Sequence, residues 1–116
     1  MIEGHFRDGH PRVALEIGEE SVSFLIDTGF WGDMALPQDL AQRLCGRPNG
    51  VRIRRLADGR RIRVPTHEFE LGWQGKDRLT EVLALGDEPL IGTALLEGND
   101  LHVEVGEGGR VLIEPR

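Results

Sequence analysis

The chain has 116 residues, of which 39% are hydrophobic and 29% charged, so we expect one domain over residues 1–116 with a core that needs no disulfide. The excess of acidic over basic residues gives a net charge of -6, which excludes a globally basic nucleic-acid-binding protein and disfavours nucleic acid as a partner. No apolar run approaches the roughly 18 residues that span a membrane. The first residues form no signal peptide and Cys45 is the only cysteine, so we expect a cytoplasmic protein.

Alternating apolar and polar residues predict strands in the first third of the chain. Residues 13–17 and 22–26 alternate in this way on either side of a turn at Gly18, which predicts a β-hairpin. Pro37 is followed by apolar residues at helical spacing, which predicts a short helix that ends at Gly46.

The second half of the chain continues with short strands. Residues 51–64 predict a hairpin that turns at Asp58-Gly59, because glycine accepts the positive φ of such turns. We expect one apolar face of this hairpin to be formed by Val51, Ile53, Ile62 and Val64. The remaining predicted elements are strands at 69–72 and 79–85, a short helix within 90–96, and strands at 101–105 and 111–113.

The chain contains a weak internal repeat. Leu15-Glu16-Ile17-Gly18 resembles Phe69-Glu70-Leu71-Gly72, and each begins a hairpin that leads to a turn and a short helix. The first copy leads to Asp27-Thr28-Gly29 and the second to Gly86-Asp87-Glu88. The order of elements therefore predicts an approximate internal two-fold symmetry.

Asp27-Thr28-Gly29 is the most informative segment for chemistry. A carboxylate at the end of an apolar strand is costly to bury unless it is solvated or used. The tripeptide alone also fits an ordinary β-turn, so its neighbours decide between the two interpretations.

Three segments together resemble the retroviral-type (retropepsin-like) aspartic proteases over about residues 12–114, nearly the whole chain. Two aliphatic residues precede Asp27-Thr28-Gly29, a glycine-tipped hairpin surrounds Asp58-Gly59, and Leu90-Ile91-Gly92-Thr93-Ala94-Leu95-Leu96 is similar to the second signature of the family. Phe30-Trp31-Gly32 and Met34-Ala35-Leu36-Pro37 look like the bacterial and archaeal single-domain members.

The resemblance implies an all-β fold, a mostly antiparallel closed β barrel with one or two short helices. It also implies an aspartic endopeptidase that acts on peptides or proteins without cofactor or metal. Asp27 would be the catalytic acid and base, Thr28 and Gly29 would support the active site, and Ala57, Asp58 and Gly59 would form the tip of a substrate-covering flap. Since the chain has a single Asp-Thr-Gly, the dyad would require a homodimer.

The sequence departs from the retroviral pattern at two places. The predicted flap tip has one glycine, and Thr93-Ala94 stand where retroviral enzymes carry an Arg-Asn pair that helps to hold the dimer together. These departures leave open a second hypothesis, a catalytically inactive dimerisation or peptide-binding module with the same fold.

Arginine is concentrated in one segment. Residues 43–63 carry a net charge of +7 and the rest of the chain -13. A solvated outer hairpin face explains this run, and a preference for acidic peptides or an arm that contacts anionic polymers remains an alternative. Cys45 is expected to be a small buried hydrophobe, and the histidines are expected to be scattered over the surface.

Overall fold

A computed structural model describes residues 1–116 and contains ten strands and two helices. The strands are β1 (Ile2–Arg7), β2 (His10–Ile17), β3 (Glu20–Ile26), β4 (Met34–Leu36), β5 (Gly50–Arg55), β6 (Arg61–Trp73), β7 (Lys76–Ala84), β8 (Leu90–Ile91), β9 (Asn99–Val103) and β10 (Arg110–Pro115). The helices are α1 (Gln38–Cys45) and α2 (Thr93–Leu96). With eight and four residues, both helices are too short to cross a lipid bilayer.

All ten strands belong to one sheet, in the order β5-β6-β7-β4-β8-β3-β2-β1-β10-β9. Most neighbours are antiparallel, and the β3–β8 and β4–β7 pairs are parallel. The prediction of a mostly antiparallel β protein with short helices is thereby confirmed. The sheet is open, with β5 and β9 as its two edges, and does not close into the barrel that we expected.

The centre of the sheet is built from two interlocked repeats. In the first repeat the hairpin β2–β3 is followed by a loop, β4 and α1, and in the second the hairpin β6–β7 is followed by a loop, β8 and α2. β4 pairs with β7 and β8 pairs with β3, while β4 and β8 lie antiparallel between them. Each repeat therefore completes the sheet of the other, which confirms the predicted internal symmetry.

Alternation along the strands produces the main core. In β3 the side chains of Val22, Phe24 and Ile26 are buried and those of Ser21 and Ser23 are exposed. A second, smaller cluster lies beside the main core and is formed by Phe30, Ala35, Val64 and Leu83. This small cluster joins the loop after β3 to β4, β6 and β7, and it therefore positions the functional site described below.

Two local predictions need correction. β1 is a strand that the sequence did not reveal, because only Ile2 and Phe6 are apolar in it and Gly4 interrupts the alternation. Gly4 is required there, since a Cβ would lie 2.0 Å from the carbonyl oxygen of Arg12. The helix predicted within 90–96 covers only Thr93–Leu96, because Leu90–Ile91 pair with β3 and β4 as a strand.

Candidate active site

Asp27 lies at the end of β3, where the buried strand leaves the centre of the sheet. Its backbone N–H donates a hydrogen bond of 2.9 Å to the carbonyl oxygen of Ile91, which continues the parallel pairing of β3 with β8. The residue before it, Ile26, is buried, and Asp27 itself is half-buried. The carboxylate thus stands at the boundary between the core and solvent, where it retains access to water.

We call residues 27–33 the Asp27 loop, and local hydrogen bonds fix its first turn. The N–H of Phe30 donates to the carbonyl oxygen of Asp27 at 3.1 Å, and the N–H of Gly29 donates to Asp27 Oδ1 at 2.9 Å. A Cβ at Gly29 would lie 3.2 Å from Asp27 Oδ1, so a side chain there would crowd the carboxylate. Oδ1 is therefore oriented by the backbone, and Oδ2 is left for other partners.

The segment Leu90–Leu96 holds the Asp27 loop in place through hydrogen bonds. The N–H and Oγ1 of Thr93 both donate to the carbonyl oxygen of Phe30, at 2.8 and 3.2 Å. The N–H of Gly92 donates to the carbonyl oxygen of Asp33 at 3.0 Å. Gly92 has no room for a side chain, since a Cβ would lie 2.2 Å from the carbonyl oxygen of Gly32. Thr93 therefore has a local role in bracing the loop.

Sequence reasoning missed two charged residues that complete this arrangement, Asp33 and Arg78. Asp33 Oδ1 accepts a hydrogen bond of 3.1 Å from Arg78 Nη2, and Asp33 Oδ2 accepts one of 3.0 Å from the N–H of Glu81. Arg78 Nη2 also lies 3.4 Å from the carbonyl oxygen of Ala94. Arg78 thus brings a guanidinium to α2 from β7. No local motif could reveal this, because the contact depends on the pairing of distant strands.

We call residues 50–66 the flap hairpin, whose tip contains the predicted residues Ala57, Asp58 and Gly59. The N–H of Gly59 donates to the carbonyl oxygen of Leu56 at 2.9 Å, and Gly59 has a φ of 88°. Asp58 accepts hydrogen bonds from the backbone N–H and from Nε of Arg60, at 2.9 and 2.6 Å. These bonds, the backbone bond foremost, lower the pKa of Asp58 from its ordinary value. The tip is exposed, and no hydrogen bond joins it to the Asp27 loop.

The two faces of the flap hairpin differ from the prediction. Arg52 is paired with Val64 and Arg54 with Ile62, so these four side chains share the face directed at Phe30 and the small cluster. Val51 and Ile53 lie on the opposite face, where they are 50% and 56% exposed. The predicted apolar face was therefore wrong by one residue on one arm. Such a slip moves every side chain of a strand to its other face.

A cleft of about 390 Å³ lies between the flap hairpin and the Asp27 loop. The Asp27 loop contributes Trp31, Gly32 and Asp33 to its lining, and the flap contributes Arg52 and Arg54. Arg52 Nη2 lies 2.8 Å from Glu81 Oε2, and this hydrogen bond and the charge of Glu81 raise the pKa of Arg52. The Arg54 guanidinium carbon lies 5.8 Å from the centroid of the Phe30 ring, within range of a cation–π interaction.

None of the predicted site residues lines this cleft: Asp27, Thr28 and Gly29 precede the part of the Asp27 loop that does, and Ala57, Asp58 and Gly59 lie at the hairpin tip outside it. The remaining candidates, Cys45 and the histidines, also lie outside the cleft. Cys45 is partly buried at the end of α1, and burial raises the pKa of its thiol, which fits a structural residue. The expectation of surface histidines is wrong for His67, which is only 2% exposed on β6. No group of three or more His, Cys, Asp or Glu side chains is arranged to hold a metal ion.

Comparisons with known proteins bear on the fold. No protein-family model matches the sequence, and no curated protein matches it either. Among solved structures, the crystal structure of a retropepsin-like aspartic protease from Rickettsia conorii is similar, with a TM-score of 0.59 and 21% sequence identity. The match covers 97% of this chain and 92% of that one. The chain therefore has the fold of a retropepsin-like aspartic protease.

Proposed function

We propose that this protein is an aspartic endopeptidase in which Asp27 residues from two copies of the chain form one catalytic dyad. The observation that carries the proposal is the position of Asp27 within this fold. Its carboxylate lies on a loop that is fixed by the backbone bonds from Gly29 and Phe30, at the end of a buried strand. The nearby cleft is lined by Trp31, Gly32 and Asp33 of the same loop and by Arg52 and Arg54 of the flap hairpin, and it would hold an extended peptide.

The dyad would work through one shared proton. Two carboxylates in contact cannot both ionise cheaply, so one pKa rises and the other falls, and both values belong to the pair. The ionised carboxylate takes a proton from a water molecule, which then attacks the scissile carbonyl carbon. The protonated carboxylate polarises the carbonyl oxygen by donating a hydrogen bond to it. The C–N bond of the resulting tetrahedral intermediate then breaks, and the proton taken from the water passes to the leaving amine nitrogen, which restores the dyad. The hydrogen bond from Gly29 would keep Asp27 oriented through these steps.

Three features support a homodimer. The chain has one Asp-Thr-Gly, and the corresponding loop of the second repeat carries Gly86-Asp87-Glu88 instead. Glu88 is engaged elsewhere, since its Oε1 lies 2.6 Å from Arg12 Nη1. The hydroxyl of Thr28 is exposed and makes no hydrogen bond within the chain, so it is free to bond to the equivalent loop of a partner. A second copy would thus provide both the missing carboxylate and a partner for Thr28.

Replacement of Asp27 by asparagine tests the proposal directly. Asp27→Asn keeps an oxygen that can accept the Gly29 hydrogen bond but removes the titratable group. We expect hydrolysis of a denatured protein substrate to fall by roughly 10⁴-fold or more, because both members of the dyad are lost together. The unfolding midpoint and the sedimentation coefficient should stay at the wild-type values.

Asp39→Asn is the matched control, since Asp39 is exposed in the first turn of α1, and its activity should equal that of wild type. Assays should cover acidic and neutral pH and a series of protein concentrations, because a weak dimer needs to be populated before it can act. Undiminished cleavage by purified Asp27→Asn protein would refute the assignment of Asp27.

The second candidate function is an inactive peptide-binding or dimerisation module. The observations that favour it are the single glycine in the flap tip and the local bracing role of Thr93, which replaces an arginine associated with dimer stability. A statine-type inhibitor, which mimics the hydrated peptide bond, separates the two functions. Tight binding by wild type that is lost in Asp27→Ala supports the endopeptidase, and no binding at any dimer-forming concentration supports the module.

A further inference from the structure

Arg54 is a cation in the cleft that has no acidic partner within the chain. Its guanidinium lies over the ring of Phe30, and it takes part in no ion pair and no hydrogen bond with another residue. An arginine has five N–H donors in a fixed planar arrangement that matches a carboxylate. These donors are available to a ligand in the cleft.

The other charged groups around the cleft are already paired. Arg52 is bound to Glu81 at 2.8 Å, and Asp33 is bound to Arg78 at 3.1 Å. Both carboxylates of the lining are thereby neutralised by guanidinium groups. The charge that remains uncompensated at this site is the positive charge of Arg54.

The position of Arg54 relates it to the proposed reaction centre. Phe30, on which Arg54 rests, is hydrogen-bonded through its N–H to the carbonyl oxygen of Asp27. An extended peptide advances about 3.3 Å per residue, so a peptide that runs from Asp27 into the cleft would bring one of its side chains to Arg54.

We propose that Arg54 is a specificity-determining residue that selects peptides with Asp or Glu near the scissile bond. The inference rests on the proposed endopeptidase function, because that function places the peptide in this cleft. The substrate carboxylate accepts charge-assisted hydrogen bonds from the guanidinium, while the ring of Phe30 holds the guanidinium in place. The arginines of the hairpin thus fall into two groups. Arg54 would bind a substrate carboxylate in the cleft, whereas Arg63 and the other arginines of the opposite face are directed away from the cleft.

The register of the flap hairpin provides a matched control. Arg63 lies on β6, opposite Ile53 and on the outer face, and it is exposed. Arg54→Glu and Arg63→Glu change the net charge of the protein by the same amount in the same hairpin. A difference between them therefore reports contact inside the cleft, and long-range attraction of acidic peptides would affect both variants equally. Arg54→Gln removes the charge but keeps a polar side chain. It provides a second test of Arg54 in case Arg54→Glu does not fold.

The experiment compares cleavage and binding with one peptide set. A proteome-derived peptide library is digested by wild type, Arg54→Glu, Arg54→Gln and Arg63→Glu, and the cleaved sites are identified by mass spectrometry. Synthetic peptides that differ only by Glu or Gln at the enriched position then give kcat/KM values. In parallel, binding is measured on an array of immobilised peptides from the same library. The array is probed with the Asp27→Asn protein and with double variants that combine Asp27→Asn with each arginine substitution.

We expect Asp or Glu to be enriched near the cleaved bond and the Glu peptide to be preferred by wild type and by Arg63→Glu. Arg54→Gln should reduce this preference by about 10-fold and Arg54→Glu by more, with a smaller preference in high salt. Cleavage without acidic enrichment, or an equal loss of preference in Arg63→Glu, would overturn the role of Arg54 and leave the endopeptidase standing. If wild type cleaves nothing, the proposed function fails, and with it the placement of the acidic residue near a scissile bond. The array then decides whether Arg54 selects acidic peptides: capture that depends on Arg54 and not on Arg63 supports this part of the inference, and capture without acidic preference refutes it.

Discussion

The Asp27 loop and the flap hairpin face each other across the cleft and are held in opposite ways. The Asp27 loop is braced by backbone hydrogen bonds from Gly92 and Thr93, and a Cβ has no space at Gly92. The flap hairpin includes β5, which is an edge strand of the sheet. Its tip is exposed and makes hydrogen bonds only within the hairpin. The Asp27 side of the cleft is therefore braced by residues distant in the chain, whereas the flap tip makes hydrogen bonds only within the hairpin.

This difference agrees with the roles that we propose for the two regions. A catalytic carboxylate needs a fixed orientation, because a small displacement of a reacting group is costly in rate. A flap must admit a peptide and then cover it, which requires a segment with few buried contacts. The base of the flap hairpin is anchored, however, since Val64 is buried with Phe30 and Leu83 in the small cluster.

Substitution of the two glycines on either side of the cleft should give the largest contrast. Gly92→Ala places a Cβ 2.2 Å from the carbonyl oxygen of Gly32, so we expect a loss of about 2–4 kcal/mol in the free energy of unfolding. Gly59→Ala meets no atom within 4 Å and should cost only about 1 kcal/mol, because alanine tolerates the φ of 88° poorly. Urea unfolding of both variants measures the difference. Equal losses would contradict the view that the Asp27 loop is closely packed and the flap tip is not.

The two faces of the flap hairpin provide a second, smaller contrast. Val64→Ala removes a buried side chain from the small cluster and should cost about 2 kcal/mol. Ile53→Ala removes an exposed side chain of the outer face and should change stability by less than about 0.5 kcal/mol. Thermal and urea unfolding compare the two proteins. The reverse order would show that the originally predicted register, with Ile53 on the buried side, is the correct one.

The smallest expected effect concerns the pH response of the flap tip. Hydrogen bonds from Arg60 lower the pKa of Asp58 from 3.8, so they stabilise the tip above that value, and this contribution is lost as the pH falls through the lowered pKa. A carbon-13 titration of the Asp58 carboxyl should give a midpoint below 3.8. In Arg60→Ala the midpoint should rise only part of the way towards 3.8, because the backbone N–H at position 60 remains. A midpoint at or above 3.8 in wild type would contradict the observed geometry.

Features that depend on neighbouring residues were predictable from the sequence. The hairpins β2–β3 and β5–β6, the helix α1 and the turn at Gly59 follow from alternation, helical spacing and a glycine with positive φ. The internal repeat was also visible, because the same order of elements occurs twice along the chain. The placement of Asp27 at the end of a buried strand was predictable for the same reason, whereas its catalytic role remains a prediction.

Features that depend on distant pairing were not predictable. The contact of Arg78 with Asp33 exists only because β7 lies beside β4 in the sheet. The face of the flap hairpin on which Arg54 lies depends on register, and the sequence offered aliphatic residues on both faces. The small cluster decides the register by burying Val64, and its members come from four separate segments. The prediction of a closed barrel was wrong for the same reason, because closure depends on whether the edge strands β5 and β9 pair with each other.

The exposure of Trp31 beside the cleft gives the protein a built-in optical probe. Its indole is 83% exposed, whereas the only other tryptophan, Trp73, is 7% exposed. An indole in water emits at longer wavelength than one in an apolar environment. Occupation of the cleft or arrival of a second chain over Trp31 would shift its emission towards the blue while Trp73 stays constant, so both events can be followed without a dye.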